Sequence, residues 1–315
     1  MHLHPFIWEA ILKRCNRLLK LSALKLIIMA AVFSSMILFF NTAAFSHTEG
    51  PQAKAVFEFT DENNVLKDIS LSAKHAFKLG LEVSHIRYKE PVMKETGLMY
   101  GLVGSYTYHH TLMLKVEGKY SWGDVDYEGM LHRGAQSIPY NIRNVKDYMW
   151  EVRSLAGYDF SFGKAITVTP YLGIGYRYLN DDLSSDRAGY ERESNYLYSP
   201  IGVLFAFKLE NGWSLEAMGE YDYFWRGTQK SHLENLLKGL NTLENKQNGG
   251  YGLRGSMTLQ KKYTSAALEA GPFVKYWNID KSERGRRTFY GYPIGYGHEP
   301  ANNSTEIGVM LGVKF

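Results

Sequence analysis

The stretch from Ser304 to Phe315, S-T-E-I-G-V-M-L-G-V-K-F, constrains the fold more than any other part of the chain. Successive side chains of a β-strand point to opposite faces. Here one face is almost wholly apolar, through Ile307, Val309 and Leu311 to Phe315, whereas the other holds glycine, methionine and charged residues. A strand with one continuously apolar face and one polar face suits a closed barrel in lipid, where every backbone polar group must be paired.

The same alternation recurs along the chain and predicts ten strands. They lie at roughly 79–84, 98–108, 112–120, 148–160, 165–179, 196–209, 213–226, 249–260, 265–279 and 304–315. The intervening segments alternate between short ones (109–111, 161–164, 210–212 and 261–264) and mostly long ones (89–97, 121–147, 180–195, 227–248 and 280–303). This rhythm predicts an all-β, antiparallel up-and-down transmembrane barrel over residues 75–315. It should have about ten strands, short periplasmic turns and long extracellular loops.

The terminal phenylalanine on an alternating last strand resembles the C-terminal signature of Gram-negative outer-membrane β-barrels. The resemblance implies a location in the outer membrane, in contact with its lipids and lipopolysaccharide. It also implies that Phe315 acts as an assembly signal for the barrel-assembly machinery. We expect a monomer.

The N-terminus has the features of a secretory signal peptide. Five Lys and Arg residues precede a 15-residue apolar run, Leu26 to Phe40, which is short for a transmembrane helix. Small residues follow, and Ala44-Phe45-Ser46 offers a cleavage site before His47. We therefore expect residues 1–46 to be removed and residues 47–74 to form a periplasmic segment ahead of the barrel.

Removal of residues 1–46 changes what the composition implies. The whole chain has 36 Lys and Arg against 32 Asp and Glu. The leader accounts for five of the bases and one of the acids, so the remainder holds 31 of each. A neutral chain gives no support for a nucleic-acid partner. The single cysteine, Cys15, also leaves with the leader, which excludes a disulfide framework and a thiolate metal site. We predict no metal and no cofactor.

Every second residue of each predicted strand faces inward, and these positions place acids and bases together in the lumen. Ten strands enclose a narrow bore, and opposite charges in it should pair because an unpaired buried charge is costly. A salt-bridged plug is one interpretation, and a selective conduit for ions or a small solute is the other. The predicted network comprises Lys119, Glu151, Arg153, Arg177, Glu216, Glu220, Asp222, Arg254, Lys275 and Glu306.

Catalytic motifs are nearly absent. Ten strands resemble the architecture of the omptin proteases, which carry an Asp-x-Asp pair and an Asp-x-His pair at the outer rim. Asp124 and Asp126 match the first pair, but no Asp-x-His occurs in the sequence. These two acids are the only catalytic candidates, and the sequence favours a non-enzymatic protein.

Two of the predicted outer loops carry distinctive patterns. Ser231 and Glu234 have the spacing of a capping box, and leucines at helical spacing follow, which predicts an amphipathic helix over residues 232–245. In the last loop, clustered cations suit the phosphates of lipopolysaccharide; they are Lys281, Arg284, Arg286 and Arg287.

These patterns leave three functions open. The first is a non-enzymatic surface or porin-like protein with a charge-paired lumen. The second is an omptin-like protease or a lipid-modifying enzyme that uses rim acids. The third is a surface binding or adhesion module that acts through its outer loops.

Overall fold

The computed structural model describes residues 75–133 and 136–315. The predictions for residues 1–46 and 47–74 lie outside the described residues. Ten long strands form the barrel: β1 (His75–Lys89), β2 (Lys94–His109), β3 (Leu112–Arg133), β4 (Gln136–Tyr158), β6 (Ile166–Asp182), β7 (Glu191–Lys208), β8 (Trp213–His232), β10 (Gly250–Lys262), β11 (Ala267–Ile279) and β14 (Asn302–Lys314). Four short strands complete the structure: β5 (Phe160–Phe162) pairs with β6, β9 (Thr242–Gln247) pairs with β8, and β12 (Gly285–Phe289) and β13 (Tyr292–Gly297) pair with each other as a separate hairpin.

The barrel closes because every long strand pairs antiparallel with two neighbours. Successive long strands pair in chain order, and β14 pairs with β1 in a register that sets Leu311 opposite Leu81. Just past the end of β14, the pairing with β1 continues: Phe315 N–H donates to Phe77 O at 2.8 Å and Phe77 N–H donates to Phe315 O at 3.1 Å. The predicted all-β, antiparallel barrel of ten strands is confirmed.

Alternation decides which side chains face outward. In β1, the apolar side chains from Phe77 to Val83 are exposed, while those between them point inward. Exposed aromatic side chains form a row toward one rim, where Tyr120 stacks with Trp122 and Tyr223 contacts Trp225. This outer surface matches an apolar barrel wall with amphipathic rings at the level of the lipid headgroups.

The two rims differ in the length of their connections. We call the rim with the short connections, such as 110–111 and 263–266, the turn end, and the opposite rim the loop end. Two of the predicted connections at the loop end are shorter than the sequence indicated. Residues 89–97 contain only a turn at 90–93, closed by Glu90 N–H donating to Met93 O at 2.9 Å. Most of 121–147 is strand, because β3 and β4 continue past the aromatic row.

The extension of β3 and β4 is supported by packing on its inner side. Val125 and Val145 are cross-strand partners and both are buried. They join Met99, Met149 and Leu179 in one apolar cluster inside the loop end. Burial of these side chains stabilises strand structure beyond the length that a membrane requires.

The helix predicted over residues 232–245 is wrong. A 3-10 turn covers Leu233–Asn235, and β9 then pairs with the end of β8. The Glu234 carboxylate accepts a hydrogen bond from Thr242 Oγ1 at 2.6 Å, so it is not held in a capping box. Gly239, at a φ of 103°, interrupts any helix here. Among the described residues, no helix is long and apolar enough to cross a membrane.

Deletion of Phe315 should impair assembly more than deletion of a residue in a loop-end turn. The deletion removes both backbone hydrogen bonds that join Phe315 to Phe77 at the closing seam. The fraction of folded, heat-modifiable protein on a gel measures the effect. Deletion of Gly291, in the turn between β12 and β13, is the control and should leave barrel yield nearly unchanged. Equal yields for the two deletions would contradict the importance of this seam.

Candidate functional site: the charged lumen and the loop end

An arginine on β10 connects two sides of the lumen. Arg254 Nη1 and Nη2 donate to the two carboxylate oxygens of Glu151 on β4, at 2.8 and 2.6 Å. Its Nε donates to Asp222 on β8 at 2.6 Å. Tyr198 O–H also donates to Glu151, at 2.6 Å. All four side chains are buried, so each charge depends on these partners for solvation.

A second arginine on β4 extends the network toward the turn end. Arg153 pairs with Glu220 on β8 through Nη1, and its Nε donates to Glu117 on β3 at 2.6 Å. Tyr171 O–H donates to the other Glu220 oxygen at 2.7 Å. Arg254 Nε lies 3.2 Å from Glu220 and so joins the two arginine groups. The result is one continuous chain of alternating charges across the bore.

A lysine on β3 organises the other side of the lumen. Lys119 Nζ pairs with Glu306 on β14 and lies 2.7 Å from Glu82 on β1. Ser84 Oγ donates to Glu306 at 2.9 Å. Lys275 is more distant, with its Nζ 3.8 Å from Glu82. The structure thus brings Lys119, Glu306 and Lys275 to one cluster.

Arg177 does not sit in a salt bridge, although its sequence position predicted one. Its guanidinium carbon lies 5.7 Å from the ring centre of Tyr196 and 5.8 Å from that of Trp277. Its Nη2 contacts Met149 Sδ at 3.7 Å. No carboxylate among the described residues pairs with it directly. The aromatic faces stabilise this buried cation instead, because their quadrupoles attract positive charge.

Inward-facing aromatic rings fill the loop-side half of the lumen, which the sequence analysis missed. Tyr196, Tyr198, Phe224, Trp277 and Ile279 are all buried and form one cluster. Tyr198 meets Trp277 edge to face, with ring centres 5.0 Å apart. Along each strand these residues alternate with outward-facing ones, and that alternation is the sequence signal that could have placed the rings inside the lumen.

Free volume is concentrated in the turn-end half of the lumen. Cavities of about 210 and 280 Å³ are lined there by Lys78, Lys115, Glu216 and their neighbours. Glu216 lies in this part, with Oε1 3.9 Å from Lys314 Nζ. At the level of Arg177 and Trp277 the free volume is only about 10 Å³. That is at most the room for a single water molecule.

A third arginine gathers acids at the loop end. Arg192 Nη2 lies 2.6 Å from both Glu90 and Glu299, and Tyr88 O–H donates to Glu90 at 3.0 Å. Glu299 lies in the connection between β13 and β14, outside the membrane-spanning strands. Burial raises its pKa from the usual 4.5 to about 7; attraction to Arg192 opposes this rise and the Glu90 carboxylate adds to it.

This raised pKa should make stability fall as the pH rises from about 4.5 to about 7. In that interval folded Glu299 keeps a proton that the unfolded chain has lost, so the free energy of unfolding falls by up to about 1.4 kcal/mol per pH unit. The comparison is wild type against Glu299→Gln, by urea unfolding from pH 4 to pH 8. The Glu299→Gln variant should lack this fall in the free energy of unfolding between pH 4.5 and 7. Parallel pH profiles would contradict the assignment.

The rim acids that matched the omptin pattern point away from the lumen. Asp124 and Asp126 alternate with buried Val125 and lie on the exposed side of β3. Lys146 Nζ donates to Asp124 at 2.6 Å, and Asn144 N–H donates to Asp126 at 3.2 Å. Both carboxylates therefore accept hydrogen bonds from β4 on the outer surface.

The four cations of the last loop are exposed. Lys281 and Arg284 lie in the segment before β12, and Arg286 and Arg287 lie on β12 itself. Next to them, the turn after β12 and the strand β13 expose a row of apolar side chains. Tyr290, Tyr292, Ile294 and Tyr296 each expose more than half of their surface.

A closed ten-stranded barrel with an apolar wall, aromatic rows and a charged lumen defines the class of outer-membrane β-barrels. A family model described as "Outer membrane protein beta-barrel domain" matches residues 70–239, more than half of the 315 residues. The chain therefore belongs to this family, which confirms the resemblance seen at Phe315 and indicates an outer-membrane protein. None of the curated proteins compared with it matches.

Several solved structures align with this chain at low identity. The outer membrane protease OmpT from Escherichia coli has a TM-score of 0.52 and 9% identity, covering 79% of this chain and 99% of its own. Neisserial surface protein A gives 0.27 at 15% identity, over 76% and 99% of the two chains. The Pseudomonas putida toluene transporter TodX gives 0.33 at 10%, over 81% and 94%. At 9% identity, the likeness to OmpT concerns the fold alone.

Proposed function

We propose that this protein is a non-enzymatic outer-membrane barrel whose lumen is closed and which acts through its loop-end surface. The observation that carries the proposal is the buried arginine network across the bore. Arg254 and Arg153 each join β4 to β8, and Arg254 brings β10 into the same network. The aromatic cluster around Trp277 lies on the loop side of this network.

Charge pairing disfavours conduction by this lumen. A selective pore needs a hydrated path and a field of one sign. Here carboxylates and guanidinium groups neutralise one another at hydrogen-bond distance, and an ion would have to displace them. Separation of such buried pairs costs several kcal/mol, because each charge would lose its only solvation.

Planar-bilayer recording tests the proposal. Purified wild-type protein should show no stable single-channel conductance. An Arg254→Ala/Trp277→Ala double variant removes the guanidinium that joins β4, β8 and β10 together with the large ring beside it, and should conduct, which shows that inserted protein is detectable. Stable wild-type conductance would refute the closed lumen and favour a porin-like protein.

The position of the rim acids supports a non-enzymatic role. An omptin-like reaction would require acids that position a water beside a histidine. Asp124 and Asp126 instead face outward and hydrogen-bond to β4. Incubation with peptide and lipid A substrates tests this directly, and cleavage that is lost in Asp124→Asn would restore the enzymatic alternative.

The β12–β13 hairpin favours a second candidate function, the binding of lipopolysaccharide. Exposed Arg286 and Arg287 can pair with phosphates, and the exposed rings of Tyr290, Tyr292 and Tyr296 can lie against sugars or acyl chains. An exposed aromatic group of this kind on a protein surface is typical of interaction sites.

Binding of purified lipopolysaccharide to the detergent-solubilised protein tests this role. An Arg286→Ala/Arg287→Ala variant should bind about 30-fold more weakly, at about 1 kcal/mol for each cation. A Lys164→Ala/Lys262→Ala variant removes two cations at the turn end and should bind like wild type. Equal affinities for all three proteins would contradict the assignment.

A further inference from the structure

Three buried carboxylates meet inside the loop end, separate from the lumen network. Glu95 lies on β2, Asp147 on β4 and Asp181 on β6, with exposed fractions of 3%, 5% and 4%. One oxygen from each lies within 4.8 Å of the others. Asp147 and Asp181 are also direct cross-strand partners. Like charges at directly opposed positions destabilise a sheet unless something neutralises them.

The nearby positive charge is too little to neutralise this group. Arg192 Nη1 is 3.8 Å from Glu95 Oε1 and 3.8 Å from Asp181 Oδ2, which is beyond hydrogen-bond distance. Its Nη2 is already shared by Glu90 and Glu299. One guanidinium therefore faces five carboxylates.

Several of the carboxylate oxygens also lack a hydrogen-bond partner. These atoms are Glu95 Oε1, Asp147 Oδ1 and both oxygens of Asp181. Buried carboxylate oxygens without partners are costly, and Asp181 has no donor other than a protonated Glu95 or Asp147. The group is thus a converging set of oxygen ligands that only a cation, or protons shared among the three carboxyl groups, can neutralise.

We propose that Glu95, Asp147 and Asp181 bind a divalent cation of the calcium type. Carboxylate oxygens are the ligands that hard cations prefer, whereas zinc favours nitrogen and sulfur. Calcium accepts irregular sets of ligands, with backbone carbonyls or water completing the shell, whereas magnesium demands near-ideal octahedral geometry. The bound ion joins β2, β4 and β6 at the base of the extended strands and so stabilises the loop end.

Equilibrium dialysis of the full-length protein in detergent, stripped with EDTA and then exposed to radioactive calcium, tests the proposal. Wild type should bind one calcium ion per chain with a Kd of about 0.1–1 mM, the range of extracellular calcium modules. An Asp147→Asn/Asp181→Asn variant keeps the side-chain shape and should bind at least about 10-fold more weakly, since two of three charged ligands are lost. An Asp124→Asn/Asp126→Asn variant, which removes two exposed acids nearby, should bind like wild type.

A second measurement does not depend on how well the variants fold. Calcium at 100 times its Kd should lower the wild-type unfolding equilibrium constant about 100-fold, because the ion binds only the folded protein. Three outcomes would overturn the proposal: no calcium binding by wild type, equal binding by the Asp147→Asn/Asp181→Asn variant, or wild-type stability that is indifferent to calcium. The last would show that protons shared among the three carboxylates neutralise the group.

Discussion

Replacement of Arg254 by alanine is expected to lower the free energy of unfolding by about 3–5 kcal/mol. The substitution leaves Glu151 and Asp222 buried without the guanidinium that now satisfies them. Tyr198 can still donate to Glu151, but a neutral hydroxyl cannot replace a bidentate charged partner. Urea unfolding followed by tryptophan fluorescence, in lipid or detergent, measures the change.

Arg177→Ala is the matched control for this experiment. Arg177 and Arg254 are both buried and both lie over Trp277, with guanidinium carbons 5.8 and 5.7 Å from its ring centre. Only Arg254 is paired directly with carboxylates. Loss of Arg177 removes cation–π contacts and packing, which are worth about 1–2 kcal/mol, and strands no directly paired acid. Equal costs for the two variants would show that the unpaired carboxylates do not determine the effect.

An exposed arginine gives the baseline. Arg226 lies on the outer side of β8, and its replacement by alanine should change stability by less than about 0.5 kcal/mol. The expected order of cost is therefore Arg254, then Arg177, then Arg226. A different order would place the stabilising role elsewhere in the lumen.

The sequence predicted the barrel because strand alternation is a local property. Each stretch, such as the one that ends at Phe315, shows by itself which face is apolar. The predicted connections were less accurate, since their limits depend on packing partners far along the chain. Val125 and Val145 extend β3 and β4 by burying against Met99 and Leu179, and no local pattern shows that contact. The leucines at helical spacing are also compatible with a strand. In β9 every second residue is buried, and Leu243 is one of them.

The inward position of the charged residues also follows from alternation, but their partners do not. Glu151 is the direct cross-strand neighbour of Arg177 in the sheet, yet its carboxylate is held by Arg254, 103 residues away. Which side chains meet across a bore depends on the stagger of the strands and on the width of the barrel. The sequence of a single strand determines neither the stagger nor the width. The same reason explains why Glu95, Asp147 and Asp181 gave no signal, since three separate strands bring them together.

Replacement of Val309 by arginine is expected to destabilise the barrel by about 2–4 kcal/mol. Val309 exposes 54% of its surface on the outer face of β14, between Ile307 and Leu311, which are also exposed. Val309 pairs with Val83 on β1 and Pro272 on β11, far from either end of the strand. A charge near the middle of the apolar wall must enter hydrocarbon or distort the bilayer, and both cost free energy. Folding titrations into lipid vesicles measure the difference.

Gln260→Arg is the control because it adds the same side chain on the lumen side. Gln260 lines the cavity of about 280 Å³ at the turn end and is the cross-strand partner of Glu269. An arginine there has room, access to water and a carboxylate within reach, so the cost should stay below about 1 kcal/mol. A large difference between the two variants requires that β14 present its odd-numbered residues to lipid. Equal costs would mean that the strand faces were assigned the wrong way round, since a register slip of one residue moves every side chain to the opposite face.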